Sequence, residues 1–542
     1  MKFDETVYLH VRNSFVTIKC EYITAFQKLK RELSFRPMGY NYSPKFKSGM
    51  WDGYIQFVRG DKLMTGLLPL IIEACKANKY PYKIIDERKD PLKELNEINL
   101  SNGITLRDDQ YEAVAEVIHN KRGIVAAATN AGKTYIATGL YKATGLKTLF
   151  LTHREELFTQ TEETFEGMLG EKIGHIWDKD NDHNFKLTIG MVPTIARRLE
   201  NPEETLKGLK KRLLDHSIEL RKACDVLNKV AGPIGIKTYT AKVKKIESNM
   251  KRVQTSVTNL TNNMAAEIQR WKDLNKYLSE VEMVIVDEAH HSSAETYEDI
   301  LLKCDSAFYR VGLTGTPDSK DKVKDLKLRG LLGEVIYTIS NQELIELGVS
   351  STPTIHFLTT RKPIVASDYQ SAYKLGIIKN SERNDHIVEV CKKKLADNKP
   401  VLILINHTDH GDHLHEYLLR SGFKADDVAF IHGGSVDSHR KAKLTAFKEG
   451  KVPILIASLI LQEGVSVNSI GALIFALGGK SNVRVLQIAG RALRLNNYGN
   501  KVEIYDFLDY GDQYLKEHSK ERYSTYKKSF GVEAFAEGTP EV

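Results

Sequence analysis

Two apolar spacings alternate along this 542-residue chain, and one long stretch breaks the alternation. Short apolar runs at Gly123–Val125, Thr148–Leu151, Leu187–Met191, Met283–Val286 and Tyr309–Leu313 are separated by segments of helical spacing. Runs apolar on both faces predict buried parallel strands, and their alternation with helices predicts a doubly wound α/β domain over about 96–340. A second set, Val401–Ile405, Val428–Ile431, Ile454–Ala457, Ala472–Phe475 and Val502–Tyr505, predicts another over 341–515. Ahead of them, period-two alternation at Val7–Val11 and Phe15–Cys20 predicts paired strands, and Tyr22–Leu33 has helical spacing. Residues 1–95 read as a small α+β domain, 86–104 as a charged linker, and 516–542 as a charged helix with a polar tail.

The interruption is 203–279, where no strand signal occurs. Apolar positions step by three and four from Leu206 to Val230 and again from Val243 to Leu278, with His216 and Glu267 the only polar members. Gly232-Pro233-Ile234-Gly235 between the runs predicts a turn, so the stretch reads as a coiled-coil hairpin inserted in the first α/β domain. Its first arm would project ~40 Å at 1.5 Å per residue. The hairpin holds 16 Lys and Arg against 8 Asp and Glu, an excess equal to the +8 of the whole chain. That charge fits an arm laid along nucleic acid. It fits equally a solvated coiled coil that binds a protein partner or braces the domain.

Composition narrows the class without naming it. The chain is 42% hydrophobic and 27% charged, which excludes wholesale disorder. A pI of about 8.8 permits a polyanionic partner. Cys20, Cys75, Cys224, Cys304 and Cys391 form no C-x-x-C pair, against a disulfide framework or a zinc site. No run approaches 18 apolar residues and the N-terminus is no secretory signal, so the expectation is a soluble cytoplasmic protein with no membrane partner.

Chemistry concentrates in Ala126–Thr134, AAATNAGKT, which joins an apolar strand to a helix. Such a loop cradles nucleotide phosphates: backbone N–H groups of Thr129, Asn130, Ala131 and Gly132 wrap the anion, Lys133 reaches the β- and γ-phosphates, and Thr134 ligates Mg²⁺. The G-x-x-x-x-G-K-[ST] pattern has Ala127 in place of its first glycine. Asp287-Glu288-Ala289-His290 follows an apolar strand, at the edge where open α/β sheets bind ligands. There Asp287 is the expected Mg²⁺ partner and Glu288 the base that activates water. The second α/β domain has no such loop, which implies that it contributes from across a cleft. Arg491 and Arg494, three apart beside Gln487 and Gly490, share one helix face. An arginine delivered this way to a γ-phosphate is worth roughly 10³–10⁵ in rate.

Taken together, these motifs resemble those of superfamily 2 helicases, in that family's order across 104–510. The resemblance implies two RecA-like domains, with ATP and Mg²⁺ as cofactors. It implies that Gln110, with Arg107 in Leu106-Arg-Asp-Asp-Gln110, contacts adenine. It further implies that His153 and Arg154 (motif Ia) and, more loosely, Thr194 touch the nucleic-acid backbone. His290, Thr314 and Thr316 would couple the ATP site to the track, and Glu463-Gly464 resembles motif V. Gln487, Arg491 and Arg494 resemble motif VI, the most specific of the set.

Gly39-Tyr-Asn-Tyr-Ser-Pro-Lys-Phe-Lys-Ser-Gly-Met-Trp-Asp-Gly53 is similar to the N-terminal domain of the UvsW-type bacteriophage helicases. That implies DNA as the track and branched substrates: Holliday junctions, stalled forks and R-loops, in recombination, replication and repair. The long hairpin departs from that family's pattern. Interleaved aromatics with Lys45, Lys47 and Trp51 could stack bases and contact phosphates. The other reading makes these aromatics the core of a domain short of aliphatics. The resulting expectation is an ATP-dependent DNA helicase, with a duplex translocase or an ATP-gated DNA-binding protein as alternatives.

Overall fold

The two sets of apolar runs become two parallel sheets, seen in a computed structural model that describes residues 6–542 apart from 154, 179, 231, 292–294, 318–320, 436, 459–469, 480–499, 538 and 540–542. The first sheet has the order Asp180–Asp182, Gly174–Trp177, Leu187–Met191, Thr148–Thr152, Met283–Asp287, Tyr309–Thr314, Arg122–Ala127, Val335–Ile339. Every pairing is parallel except that of the Asp180–Asp182 edge. The central strands are those legible as apolar runs, because both of their faces are covered. Gly174–Trp177 and Val335–Ile339 escape such a reading, since each leaves half of its residues or more partly exposed near a sheet edge.

The second sheet runs Thr352–Thr360, Lys501–Asp509, Ala472–Phe475, Val401–Ile405, Ile454–Ser458, Val428–Ile431, all parallel. Here the charged helix expected at the start of 516–542 is present but is not solvated all round. The helix, Gln513–Phe530, begins earlier and buries Tyr526, Phe530 and Arg522 against the second sheet. Arg522 lies 3.0 Å from Asp506, so a charge that looks solvent-facing in the sequence is the partner of a buried carboxylate.

The N-terminal unit is a four-stranded sheet, Lys62–Met64, Phe15–Lys19, Val7–Val11, Tyr82–Asp86. Its core is mainly aliphatic, built from Val7, Leu9, Val11, Val16, Leu29, Leu63 and Ile71 with Phe57, and of the aromatic stretch Phe35 packs against it. The reading of these aromatics as core is therefore corrected for the stretch beyond Phe35, none of whose rings is among the buried core residues. Tyr42 is 76% exposed and Tyr54 42%, and Arg36 lies between the rings of Tyr40 and Tyr54 at 4.7 and 4.5 Å. Gly53 has φ 84°, and a Cβ there would stand 2.8 Å from the Tyr40 ring, so the Trp-Asp-Gly turn admits no side chain.

This unit is tied to the first sheet. Arg310 donates to Ser14 Oγ at 2.8 Å, and Arg122 donates to the carbonyl of Asn13. The expected linker is strapped down as well: the Asn96 N–H donates to Ala143 O at 2.8 Å, Tyr309 donates to Asp90 at 3.2 Å, and Leu92 and Ile98 pack on the domain core.

The interruption is helical from end to end, as Pro202–Leu227, Pro233–Asn262 and Met264–Ser279. The apolar steps turn inward: Ala223, Ile246 and Val257 are buried between the first two helices. The third helix belongs to the domain rather than to the arm. Its Leu274, Tyr277 and Leu278 join the domain core, and Trp271 donates to Leu199 O at 3.0 Å.

Candidate active site

The phosphate loop is built by its own backbone and clamped from one side. The Ala128 N–H donates to Ile339 O at 2.9 Å, and the Ala131 N–H to Ala128 O at 3.1 Å. Asn130 and Gly132 both take positive φ, 78° and 81°, which bends the chain before the helix Lys133–Thr144 begins. A Cβ on Gly132 would stand 2.4 Å from Gln110 Nε2, so glycine is required. Gln110 is 2% exposed and holds the loop itself: its Nε2 donates to Ala131 O at 2.9 Å, while its Oε1 accepts from the Arg107 N–H at 3.1 Å. The Arg107 guanidinium adds a second donor to Ala131 O, also at 2.9 Å, and is braced by Asp109 at 2.7 Å. Both ends of the Gln110 amide are thus engaged in the described arrangement. The amide keeps one N–H and one lone pair beyond these two bonds.

Across the loop, Met283–Asp287 ends beside the same edge. Lys133 Nζ lies 3.1 Å from Glu288 Oε1, each side chain 17% exposed. Residues 155 apart in sequence meet because the Arg122–Ala127 and Met283–Asp287 strands flank Tyr309–Thr314 in one parallel sheet. Glu288 sits at φ 48°, a conformation non-glycine residues take at a cost of order 1–3 kcal/mol and typically at functional sites. Its N–H donates to Asp287 Oδ1 at 3.0 Å. His290 Nδ1 lies 3.0 Å from Thr314 Oγ1 and 3.4 Å from Glu288, and Thr314 Oγ1 accepts the Thr316 N–H at 3.2 Å. One chain of contacts therefore runs from Lys133 through Glu288 and His290 to Thr314.

Comparison with known proteins gives this geometry its family. The family model for the res subunit of type III restriction enzymes matches residues 103–319, and that for the helicase conserved C-terminal domain matches 382–496. The model for the N-terminal domain of the DNA helicase UvsW matches 6–86. The ATP-dependent DNA helicase UvsW of Enterobacteria phage T4 is 24% identical over 522 residues, covering 92% of this chain and 89% of that protein. The chain is an ATP-dependent DNA helicase, and it resembles the UvsW type of superfamily 2. A fragment of a putative HsdR subunit of a type I restriction enzyme from Vibrio vulnificus shares the fold at a TM-score of 0.51. Its identity is 17%, over 79% of this chain and 67% of that one. The crystal structure of T4 UvsW is 20% identical over 98% of both chains, with a TM-score of 0.40.

The helicase's remaining expected positions divide into three groups. His153 ends the Thr148–Thr152 strand with its ring 4.3 Å from that of His291, which in turn lies 4.1 Å from His290. The motif Ia position is thereby joined to motif II through neighbouring imidazoles, a link that no sequence spacing announces. Thr194 is only 7% exposed in the first turn of Val192–Leu199, so its side chain stands behind the surface rather than on it. Lys45 and Lys47 are exposed on the short helix Pro44–Lys47, and Trp51, half-buried, donates to Tyr54 O at 2.8 Å. Arg154, Glu463, Gly464, Gln487, Arg491 and Arg494 lie outside the described residues.

The residues that sequence reading missed are buried supports. Arg383 donates to Ala476 O at 3.0 Å, and Arg522 donates to Gly479 O at 2.7 Å, holding the chain just ahead of the motif VI segment. Their signal was faint, because a lone arginine in a charged helix reads as solvated.

Proposed function

We propose that this helicase remodels branched DNA, unwinding or branch-migrating Holliday junctions, stalled forks and R-loops in recombination, replication and repair. The observation that carries the reading is the N-terminal match to UvsW on a chain that aligns with that DNA helicase over nearly its whole length. The division of labour we propose is 1–95 for DNA binding, 96–340 for ATP binding with 203–279 inserted, 341–515 for the closing half, and 516–542 for a C-terminal helix and tail. The setting would be a host cytoplasm. No helix among the described residues is long and apolar enough to cross a membrane.

The residues present fit ATP with Mg²⁺. A loop bent by positive φ at Asn130 and Gly132 into a helix N-terminus, with Lys133 at its start, suits phosphate oxygens. Among the described residues no cluster of three or more His, Cys, Asp and Glu could hold a metal. Mg²⁺ needs no such cluster, since one or two protein groups together with phosphates commonly hold it. Thr134 and Asp287 would hold the ion, which neutralises charge developing on the transferred phosphoryl group. Lys133 would exchange Glu288 for the β- and γ-phosphates, freeing Glu288 to orient water. Gln487, Arg491 and Arg494 would reach the γ-phosphate when the cleft closes, with Glu463 and Gly464 beside the nucleotide. His290, Thr314 and Thr316 would report hydrolysis to the DNA side, where His153, Arg154, Lys45, Lys47 and Trp51 meet the strands.

A panel of forks, Holliday junctions and R-loops, scored with ATP and with a non-hydrolysable analogue, tests the reading. ATP-dependent strand release or branch migration is expected. Tight binding without release under either nucleotide would replace the motor with an ATP-gated binder. Movement along duplex without release would make it a translocase.

A further inference from the structure

The nucleotide edge makes no use of the hairpin's charge, and the structure places that charge on one kind of surface. Lys207, Lys211 and Lys222 are separated by four and eleven residues, and Lys237, Lys244 and Lys251 by seven and seven. These intervals return to one face of a 3.6-residue helix, so each helix carries a row of lysines. All six are exposed, on the sides of the arm away from its buried Ala223, Ile246 and Val257. Among the described residues, Glu219 lies by His216 and Glu267 by Arg270, and no carboxylate lies within ion-pair distance of these six lysines.

The foot of the arm is different. There Arg197, Arg198 and Arg270 face Asp178, Glu200 and Glu267, three charges of each sign around Trp271. The foot is a neutral brace, and the excess charge lies further out. It also fixes where the arm starts. Pro202–Leu227 follows the helix Val192–Leu199, which begins where the Leu187–Met191 strand ends, next to the Thr148–Thr152 strand that leads to His153.

The chemistry of the rows selects their partner. Protein-binding hot spots centre on buried aromatics and arginine, and lysine is depleted from such interfaces. Rows of exposed lysine act as hydrated point charges, suited to neutralising phosphates without reading bases. A row ~20 Å long, fourteen residues at 1.5 Å each, matches an extended polyanion rather than a single anion.

We propose that the arm Pro202–Asn262 is a rail for duplex DNA, its outward lysines neutralising successive phosphates of one arm of the branched substrate. The inference rests on the reading of the protein as a remodeller of branched DNA, and its test does not depend on remodelling. Affinity for a forked duplex is measured against salt for the wild type, for the fourfold variant Lys207→Ala, Lys211→Ala, Lys244→Ala, Lys251→Ala, and for the same four positions changed to Arg. The alanine variant should flatten the slope of log affinity against log salt by about 0.9 for each phosphate that is no longer neutralised. The arginine variant should keep the wild-type slope, with thermal unfolding of all three superimposable. An unchanged slope in the alanine variant overturns the rail. Equal flattening on single-stranded DNA overturns the duplex assignment. Failure of the branched-DNA reading would show separately, as wild-type protein that binds forks but never remodels them.

Discussion

The two parallel sheets bury arginine in opposite ways. In the first, Arg310 is 1% exposed and bonds to the carbonyls of Ala307 and Cys304 and to Ser14 Oγ, and burial pushes its pKa down to about 10. In the second, Arg522 and Arg383 are as deeply buried but stand against Asp506 and Asp509. Burial alone would lower the pKa of Arg522, yet the neighbouring Asp506 reverses the shift and raises it. The difference follows from what each sheet must hold. Arg310 joins the motor to the N-terminal unit through the Ser14 hydroxyl, a neutral partner. Arg383 and Arg522 hold the carbonyls of Ala476 and Gly479, a bend of chain that a fixed charge lattice can keep in place. One sheet uses its buried charge to dock a domain, the other to hold the chain at Ala476 and Gly479.

If the second sheet exists to aim the motif VI segment, Arg491→Ala should retain nucleotide binding and lose roughly 10³–10⁵ in kcat. A normal rate would detach that sheet from catalysis. Lys133→Ala should abolish measurable hydrolysis while DNA binding persists, and normal turnover would remove the phosphate loop from the reaction.

Next in size is the charge lattice itself. Arg522→Ala leaves Asp506 buried without its partner and should cost about 3–5 kcal/mol in denaturant unfolding. A cost below about 1 kcal/mol, the range of exposed pairs, would mean that the pair is solvated in solution. The contrasting change, Arg310→Met, strands neutral oxygens only, at about 1–3 kcal/mol for each group left unpaired. It should also speed proteolysis within 86–104, because the N-terminal unit loses an anchor. Equal losses from the two variants would erase the distinction drawn between the sheets.

The smallest effect is one of pH. Burial lowers the pKa of His410 from 6.5 to about 3. Unfolding therefore takes up a proton between those values, and stability falls as pH drops through that window. The loss is about 1.4 kcal/mol one unit below 6.5. His410→Leu should remove that share of the acid slope, and an unchanged slope would mean that the ring is protonated in the folded protein.

Much of the motor was legible in order. Central strands declared themselves because both of their faces are buried, and Gly132-Lys133-Thr134 and Asp287-Glu288 declared themselves because phosphate chemistry admits few alternatives. Edge strands such as Val335–Ile339 did not, since a half-covered strand has no continuous apolar run. The aromatics of 35–54 misled for a different reason. A ring packs equally well in a core or on a guanidinium, and only the fold brings Tyr40 and Tyr54 to Arg36.

The fuel and the motor are written locally in the chain: strand–helix alternation, a phosphate loop and an acidic pair after a strand are patterns whose chemistry travels with them. Which charges are solvated and which are buried is set by packing across the fold. Arg310, Arg383 and Arg522 look no different in the chain from Lys207 or Lys244. Burial depends on what packs from hundreds of residues away, as Ser14 does on Arg310, and no local pattern encodes a neighbour that distant.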